Sequence, residues 1–249
     1  MSRPRLDQLM VERGLAGSRA KAQALVLAGQ VFSGERRLDK PGQTVAPDIS
    51  LEVRTPGAPY VSRGGLKLAH ALDHFAVDPA GMVALDVGAS TGGFTDVLLQ
   101  RGARRVYAVD VGHGQLDWRL RTDPRVVVLE RTNARHLRRE HVPEPIDLIV
   151  CDVSFISLEL ALPAALALAA PAALLIALIK PQFEVGKGQV GKGGVVRDPA
   201  LHDMVCARIS RWLGHEQGWR VRGIIQSPIT GPKGNREFLI AADSGPAKS

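Results

Sequence analysis

From Tyr60 onward, short apolar runs alternate with longer amphipathic segments, and this alternation restricts the possible folds more than any other feature of the sequence. Repeated strand–helix units build a mainly parallel sheet that is covered by helices on both faces. The pattern therefore predicts an α/β domain with seven strands. They are predicted at Val83–Val87, Val106–Asp110, Val126–Leu129, Ile146–Cys151, Ala173–Ile179, Arg220–Ile225 and Glu237–Ala241, with helices at Leu66–Phe75, Gly92–Arg101, Leu158–Leu168 and Leu201–Gln217.

The first 54 residues follow a different pattern, which predicts a separate small α+β unit. Leu6, Leu9, Met10 and Arg13 have helical spacing and predict a first helix that ends at Gly14. Ser18 is a suitable N-cap for a second helix from Arg19 to Ala28. Strand-like pieces follow near Gln30–Phe32 and Ser50–Val53. Because Pro and Gly then interrupt regular structure, we expect domains at 1–54 and 61–249 joined by a linker at 55–60.

The segment from Leu160 to Ile179 contains no charged residue and is long enough for a membrane-spanning helix, so a membrane-active protein is one alternative. Pro163 and Pro171 interrupt it, however. We instead expect Pro171 to separate an Ala/Leu helix that ends near Ala170 from a buried strand, Ala172–Ile179.

Composition narrows the class of protein. Two cysteines are too few for a disulfide scaffold or a cysteine-rich zinc site, and the N-terminus is charged where a signal peptide requires an apolar run. These features predict a cytoplasmic protein. A formal net charge of +7 is compatible with a nucleic-acid partner.

A glycine-rich segment directly after the first predicted strand of the sheet indicates a cofactor loop. It lacks the dinucleotide pattern G-x-G-x-x-G. Acidic residues at neighbouring strand ends suit a ribose diol and a sulfonium cation better than a pyrophosphate, which favours S-adenosylmethionine over NAD; a tight turn without a ligand is the alternative. The predicted cofactor residues are Asp86, Gly88, Ala89, Ser90, Thr91, Gly92, Gly93, Phe94, Asp110, Asn133 and Asp152.

Four titratable residues lie at the ends of predicted elements, where the crevice of an open α/β sheet forms: Lys67, Asp152, Lys180 and Glu237. Two lysines and two carboxylates suit removal of a proton from a poor nucleophile such as a ribose hydroxyl. A lysine is a base only when its neutral form is populated, which desolvation and a nearby cation promote. We expect Lys180 to be the base, Lys67 its cationic neighbour, and the two carboxylates to orient them. Each residue taken alone is more typical of a surface ion pair.

These four residues resemble the Lys-Asp-Lys-Glu tetrad of FtsJ-like ribose 2′-O-methyltransferases. The N-terminal residues Arg5-Leu6-Asp7, Gly14, Ser18-Arg19, Ala22 and Gly29-Gln30-Val31 resemble an S4-type RNA-binding domain. Together with the phrases VSRGG at 61–65, DVGASTGGFT at 86–95 and KPQFEVGKG at 180–188, the arrangement is similar to the TlyA (haemolysin A) family of ribosomal RNA methyltransferases.

The resemblance implies a Rossmann-like methyltransferase domain, S-adenosylmethionine as methyl donor and a cytidine 2′-hydroxyl of ribosomal RNA as acceptor. Because the chain ends soon after its last predicted strand, the large ribosomal subunit is favoured, with the small subunit as the alternative. Some family members carry Trp before Val-Ser-Arg, whereas this chain has Tyr60. An RNA-binding ribosome-assembly factor that does not need the activity is a further alternative.

Basic residues of the small domain and of a glycine-rich loop at 184–199 are predicted to contact RNA phosphates, because few aromatic residues are present for base stacking. A solvated loop with no partner is the alternative for 184–199. The predicted RNA contacts are Arg3, Arg5, Arg13, Arg19, Lys21, Arg36, Arg37, Arg63, Lys187 and Lys192.

Overall fold

The computed structural model describes residues 3–34, 36–53, 59–191 and 193–245, apart from the side chain of Lys187. Most of the predicted linker, 55–58, therefore lies outside the described residues, as does Lys192.

The small N-terminal domain packs two helices against a three-stranded antiparallel sheet of order β2-β1-β3. Ser18 caps the second helix, since its hydroxyl accepts a hydrogen bond from the backbone N–H of Lys21. Strand β2 is an addition to the predicted elements. The elements are α1 (Leu6–Glu12), α2 (Arg19–Leu27), β1 (Val31–Ser33), β2 (Arg36–Arg37) and β3 (Glu52–Val53).

The large domain contains a seven-stranded sheet of order β6-β5-β4-β7-β8-β10-β9, in which β10 runs antiparallel to its two neighbours. The predicted α/β class and the mostly parallel sheet are thus confirmed. Its strands are β4 (Val83–Val87), β5 (Arg105–Val109), β6 (Val126–Leu129), β7 (Ile146–Cys151), β8 (Ala169–Ile179), β9 (Arg220–Gln226) and β10 (Phe238–Asp243). Its helices are α3 (Gly64–His74), α4 (Gly93–Gln100), α5 (Trp118–Arg121), α6 (Leu158–Ala161), α7 (Pro163–Leu166), α8 (Pro181–Glu184) and α9 (Pro199–Arg211), with 3₁₀ turns at Ala134–His136, Lys187–Gln189 and Pro232–Gly234 and a π-helical turn at Trp212–Glu216.

Apolar side chains bury both faces of this sheet. Residues of α3, α4 and α5 cover one face, and residues of α6, α7, α9 and the π turn cover the other. Every strand residue from 148 to 151 is fully buried, which explains why β7 continues after Asp147 as an apolar run rather than an alternating one. The strand order reverses between β4 and β7, so a crevice is expected at their carboxyl ends.

The prediction for the uncharged segment was wrong at Pro171. The expected single helix is two short helices, α6 and α7, because Pro163 begins a new turn. Strand β8 already begins at Ala169 and includes Pro171 in its exposed first part, where the pairing with β7 shifts register and Ala172 has a φ of 60°. Proline is tolerated there because a residue in a bulge is not paired in the strand ladder, so the missing N–H of proline costs no hydrogen bond. Over the described residues, the chain has no helix with the length and apolar character needed to cross a membrane.

Candidate active site

Two strand ends, one strand start and a helix meet at the same edge of the sheet. Because β10 is antiparallel to β8, Phe238 pairs with Ile179. Glu237 and Lys180, the residues just outside that pair, therefore lie beside each other. Asp152 follows β7, the other neighbour of β8, and Lys67 reaches the same place from α3. The topology thus brings the four predicted residues of the tetrad together.

The four side chains form a chain of ion pairs. Lys67 Nζ donates a hydrogen bond of 2.6 Å to Glu237 Oε2 and lies 3.8 Å from Asp152 Oδ2. Asp152 Oδ1 is in turn 2.6 Å from Lys180 Nζ. Both lysine side chains are only 10% exposed, and that of Glu237 is fully buried. Charges this close in a partly desolvated site interact much more strongly than surface pairs.

Lys180 has two contacts of different kinds. The short approach to Asp152 Oδ1 is an ion pair whose angles do not meet those of a hydrogen bond. A well-formed hydrogen bond runs from Lys180 Nζ to the hydroxyl oxygen of Ser154, at 2.9 Å. Ser154 was not predicted, because its contact depends on how the ends of β7 and β8 approach each other and has no local sequence signal.

The glycine-rich loop follows β4 and leads into α4, as predicted. Gly88 has a φ of +86°, and a Cβ atom there would lie 2.8 Å from the backbone oxygen of Asp152. A side chain at this position is therefore excluded both by conformation and by space. The remaining predicted loop residues, Ala89, Ser90, Thr91, Gly92, Gly93 and Phe94, lie between β4 and the first turn of α4.

Asp86 is fully buried at the centre of this edge. Its Oδ2 accepts a hydrogen bond of 2.7 Å from the Thr95 hydroxyl, whereas Oδ1 is buried without a partner among the residues that the structure describes. Burial, with the nearby charge of Asp152, raises the pKa of Asp86 to about 7. Such an orphaned acceptor is costly unless a ligand donates to it.

Asp110 and Asn133 follow β5 and β6. The Asp110 carboxylate accepts hydrogen bonds from the backbone N–H groups of Ser90 (2.8 Å) and Gly112 (2.7 Å), so it connects two loops at this edge. The side-chain oxygen of Asn133 caps the turn that follows, accepting from the backbone N–H of Arg135 at 3.1 Å. The structure thus gives Asn133 a local role, and contact with an adenine stays a prediction.

In the small domain, three of the side-chain partners of the fully buried Asp7 are Arg5, Arg19 and Gln23, at 3.1, 2.8 and 2.8 Å. The Arg5 guanidinium, followed by Arg19, holds the pKa of Asp7 well below its usual range. Arg13 donates to the backbone oxygens of Pro47 and Ile49. These arginines therefore help hold the domain together, and their contact with RNA stays a prediction.

The other predicted RNA contacts are exposed where they are described. Arg3, Lys21, Arg36 and Arg37 lie on the small domain, and Arg63 precedes α3. Arg37 forms an ion pair of 2.6 Å with Asp39. The side chain of Lys187, like Lys192, is outside the described residues.

The second glycine-rich loop, at 184–199, is anchored at its C-terminal end. Asn235 donates to the backbone oxygen of Gly194 at 3.0 Å and accepts from the backbone N–H of Val196 at 3.1 Å. Val196 is buried. The segment therefore packs against the loop that precedes β10 and Glu237.

Gln182 and Gly231 also lie beside the tetrad, and neither was predicted from the sequence. Gln182 donates to Glu237 Oε1 at 3.5 Å, and a Cβ atom at Gly231 would lie 2.0 Å from that same oxygen. Tyr60 packs against the apolar face of α3 and α4 and lies over Gly65. Only the folded chain brings these positions together.

Comparison with known protein families shows which family has this domain arrangement. Residues 60–244 match the model of the FtsJ-like methyltransferases. The chain belongs to the FtsJ-like methyltransferase family. Residues 4–48 match the S4 domain. Family membership confirms that the chain is a methyltransferase and supports S-adenosylmethionine as its cofactor.

Relatives of this FtsJ-like methyltransferase extend over nearly its whole length. A Mycobacterium tuberculosis protein named 16S/23S rRNA (cytidine-2′-O)-methyltransferase TlyA is 51% identical over 96% of this chain and 89% of its own. Hemolysin A of Brachyspira hyodysenteriae is 40% identical over 94% of this chain and 98% of its own. A solved Streptococcus thermophilus structure, provisionally named a hemolysin, has a TM-score of 0.79 and 41% identity and covers 98% of this chain and 90% of that one. The resemblance to the TlyA family is thus confirmed.

Proposed function

We propose that this protein transfers a methyl group from S-adenosylmethionine to the 2′-hydroxyl of a cytidine in ribosomal RNA. The observation that carries the proposal is the ion-pair chain Lys67–Glu237 and Lys67–Asp152–Lys180 at the sheet edge beside the glycine-rich loop. A ribose hydroxyl is a poor nucleophile, so a positioned base is required at this edge.

Lys180 is the better base of the two lysines. Lys67 faces two carboxylates, Glu237 at 2.6 Å and Asp152 at 3.8 Å, and is held as the ion-pair partner of both. Lys180 faces one carboxylate and one neutral hydroxyl. We therefore assign the proton transfer to Lys180 and the positioning of the site to Lys67, Asp152 and Glu237.

The residues at the crevice fit S-adenosylmethionine. The buried Oδ1 of Asp86, which has no hydrogen-bond partner in the described part of the chain, is open to a ligand donor or a cation, and Asp110 and Asp152 add negative charge nearby. When bound, the cofactor supplies an electrophilic methyl group on a positively charged sulfur. Asp86 and Asp152 would stabilise that positive charge, and Asp110 would accept hydrogen bonds from ribose hydroxyls. The glycine-rich loop lets the backbone approach the ligand closely.

Side chains of this protein then remove the proton of the 2′-hydroxyl. The neutral Lys180 amine would take the proton from the 2′-hydroxyl while the ribose oxygen bonds to the methyl carbon and the carbon–sulfur bond breaks, which leaves S-adenosylhomocysteine. The ammonium that results lies 2.6 Å from Asp152 Oδ1, which stabilises the new charge. Lys67 holds Asp152 and Glu237 in place throughout.

The acceptor is inferred from two sources. The S4 match covers the small domain, and the M. tuberculosis relative is named for methylation of cytidine in 16S and 23S rRNA. We propose ribosomal RNA in the cytoplasm as the substrate, with large-subunit RNA as the first target to be tested and small-subunit RNA as the second.

The decisive experiment maps 2′-O-methyl groups by mass spectrometry. Unmodified 16S and 23S rRNA, separate subunits and assembled ribosomes are each incubated with the protein and S-adenosylmethionine. We expect one or a few methylated cytidine riboses, and no product with Lys180→Ala. Ser244→Ala is a suitable control, because among the described residues its hydroxyl donates to the backbone oxygen of Ala170, away from the site.

Methyl transfer to a base carbon or nitrogen would contradict the proposed chemistry. Full activity of Lys180→Ala would remove Lys180 as the base. If that variant makes no product yet supports ribosome assembly normally in cells, the assembly-factor alternative would replace catalysis as the main function.

A further inference from the structure

Ser154 lies in the segment that joins β7 to α6, two residues after Asp152. Its hydroxyl oxygen accepts the hydrogen bond from Lys180 Nζ at 2.9 Å. The residue itself is exposed, whereas Lys180 is buried. The ion-pair chain described above does not require this serine, so its contact with the base needs a separate explanation.

The geometry of an amine supplies that explanation. A neutral lysine amine has two N–H bonds and one lone pair, and only the lone pair can take a proton. The side chain rotates freely about the Cε–Nζ bond unless one N–H is held. The contact with Asp152 is close but does not have the angles of a hydrogen bond, so it does not define the rotation. Among the contacts described for Lys180 Nζ, the one to Ser154 has the alignment to do so.

The segment that carries Ser154 is itself held firmly. Buried Glu184 accepts hydrogen bonds from the Ser157 hydroxyl at 2.7 Å and the Leu158 N–H at 2.8 Å. Arg208 of α9 contacts the same carboxylate at 2.7 Å. Because Glu184 ends the helix that begins directly after Lys180, one short element carries both the base and the anchor for this segment.

We propose that Ser154 is a positioning residue that fixes the rotation of the Lys180 amine and thereby aims its lone pair at the substrate hydroxyl. This inference rests on the proposed function, in which Lys180 is the base. The serine touches the base and not the reacting atoms, so its effect is expected on the rate of the chemical step and not on binding. A small loss of alignment is enough to slow a proton transfer strongly.

The test compares Ser154→Ala with Ser154→Thr under single-turnover conditions on the RNA that the wild-type protein methylates. We expect Ser154→Ala to lower the rate of methyl transfer about tenfold. The KM for RNA, the Kd for S-adenosylmethionine measured by calorimetry and the melting temperature should stay within error of the wild type. Ser154→Thr, which keeps the hydroxyl, should restore the rate to within about threefold of the wild type.

Ser157→Ala is the matched control, because it removes a hydroxyl from the same segment without touching Lys180. It should lower the melting temperature and leave the rate near that of the wild type. An equal loss of rate in Ser157→Ala and Ser154→Ala would mean that the segment is merely loosened, and would overturn the proposal. An unchanged rate in Ser154→Ala, or no rescue by threonine, would overturn it as well.

Acetylation of lysines, followed by mass spectrometry, tests the contact without methyl transfer. Labelling of Lys180 relative to Lys67 should rise in Ser154→Ala, and unchanged labelling would contradict the proposed contact. If the wild-type protein transfers no methyl group to ribose, the proposed function fails and the role of Ser154 fails with it. Wild-type methylation with a fully active Ser154→Ala variant would refute the role of Ser154 alone.

Discussion

Replacing Asp86 by asparagine should stabilise the protein at alkaline pH and impair cofactor binding. The carboxyl group is fully buried, and one of its oxygens has no partner among the described residues. Asparagine keeps the size of the side chain and retains an oxygen that can accept the hydrogen bond of the Thr95 hydroxyl. It removes the buried charge.

The expected magnitude follows from the pKa of Asp86, which burial raises from 3.8 to about 7. Because the folded state holds the proton more tightly than the unfolded chain, stability is lost as the pH rises from about 4 to about 7. Each pKa unit corresponds to about 1.4 kcal/mol, so relative to acid pH the titration of Asp86 lowers the stability by about 4 kcal/mol above pH 7 and by about 1.5 kcal/mol at pH 5, where only the unfolded chain has lost the proton. The advantage of Asp86→Asn should therefore grow by about 3 kcal/mol between pH 5 and pH 8.

Urea unfolding of the ligand-free protein at pH 5, 6, 7 and 8 measures this difference directly. Subtracting the wild-type curve from that of the variant cancels the titration of all other groups. Asp203→Asn, a change at an exposed carboxylate, is the control and should show no such trend. Calorimetry at pH 8 should show at least tenfold weaker binding of S-adenosylmethionine to Asp86→Asn, since one ionic contact is lost.

Parallel stability curves for the wild type and Asp86→Asn across this pH range would refute the reasoning, because they would mean that the folded and unfolded states hold the Asp86 proton equally. Stronger or unchanged cofactor binding by the variant would separate Asp86 from the cofactor site. Stability gained together with binding lost is the pattern expected of a strained functional residue.

Three further predictions concern other parts of the molecule. Asp7→Asn should lower the free energy of unfolding by about 1–3 kcal/mol at neutral pH. Because the pKa of Asp7 is lowered in the folded state, the difference in stability between the two proteins should shrink progressively as the pH falls below about 4. Acid unfolding of both proteins measures this. Burial raises the pKa of the Cys151 thiol to about 12, so Ellman's reagent should not label this residue until the protein unfolds, and rapid labelling under native conditions would contradict its burial. Gly231→Ala should reduce methyl transfer at least tenfold by displacing Glu237, whereas Gly17→Ala, at a position with open space, should have no effect on the rate.

Much of the fold could be predicted from the sequence, because strand and helix periods are local properties. Apolar runs identified most of the strands, and the glycine-rich segment after β4 located the loop at the sheet edge. The alternation of strands and helices then implies a parallel sheet, whose strand ends must meet at one edge. Where a local signal was ambiguous, as at Pro171, the prediction was wrong, because a bulge next to β7 accommodates the proline within a strand.

The tetrad residues could be selected from the sequence because they follow or precede strands of that predicted sheet. Their mutual contacts were decided only in three dimensions. Lys67 and Glu237 are 170 positions apart and touch because α3 and the start of β10 meet beside β8. The contact of Ser154 with Lys180, the orphaned oxygen of Asp86 and the binding of Arg19 to Asp7 also depend on tertiary packing. Side-chain distances, burial and charge environment arise from segments far apart in the chain, and no local pattern encodes them.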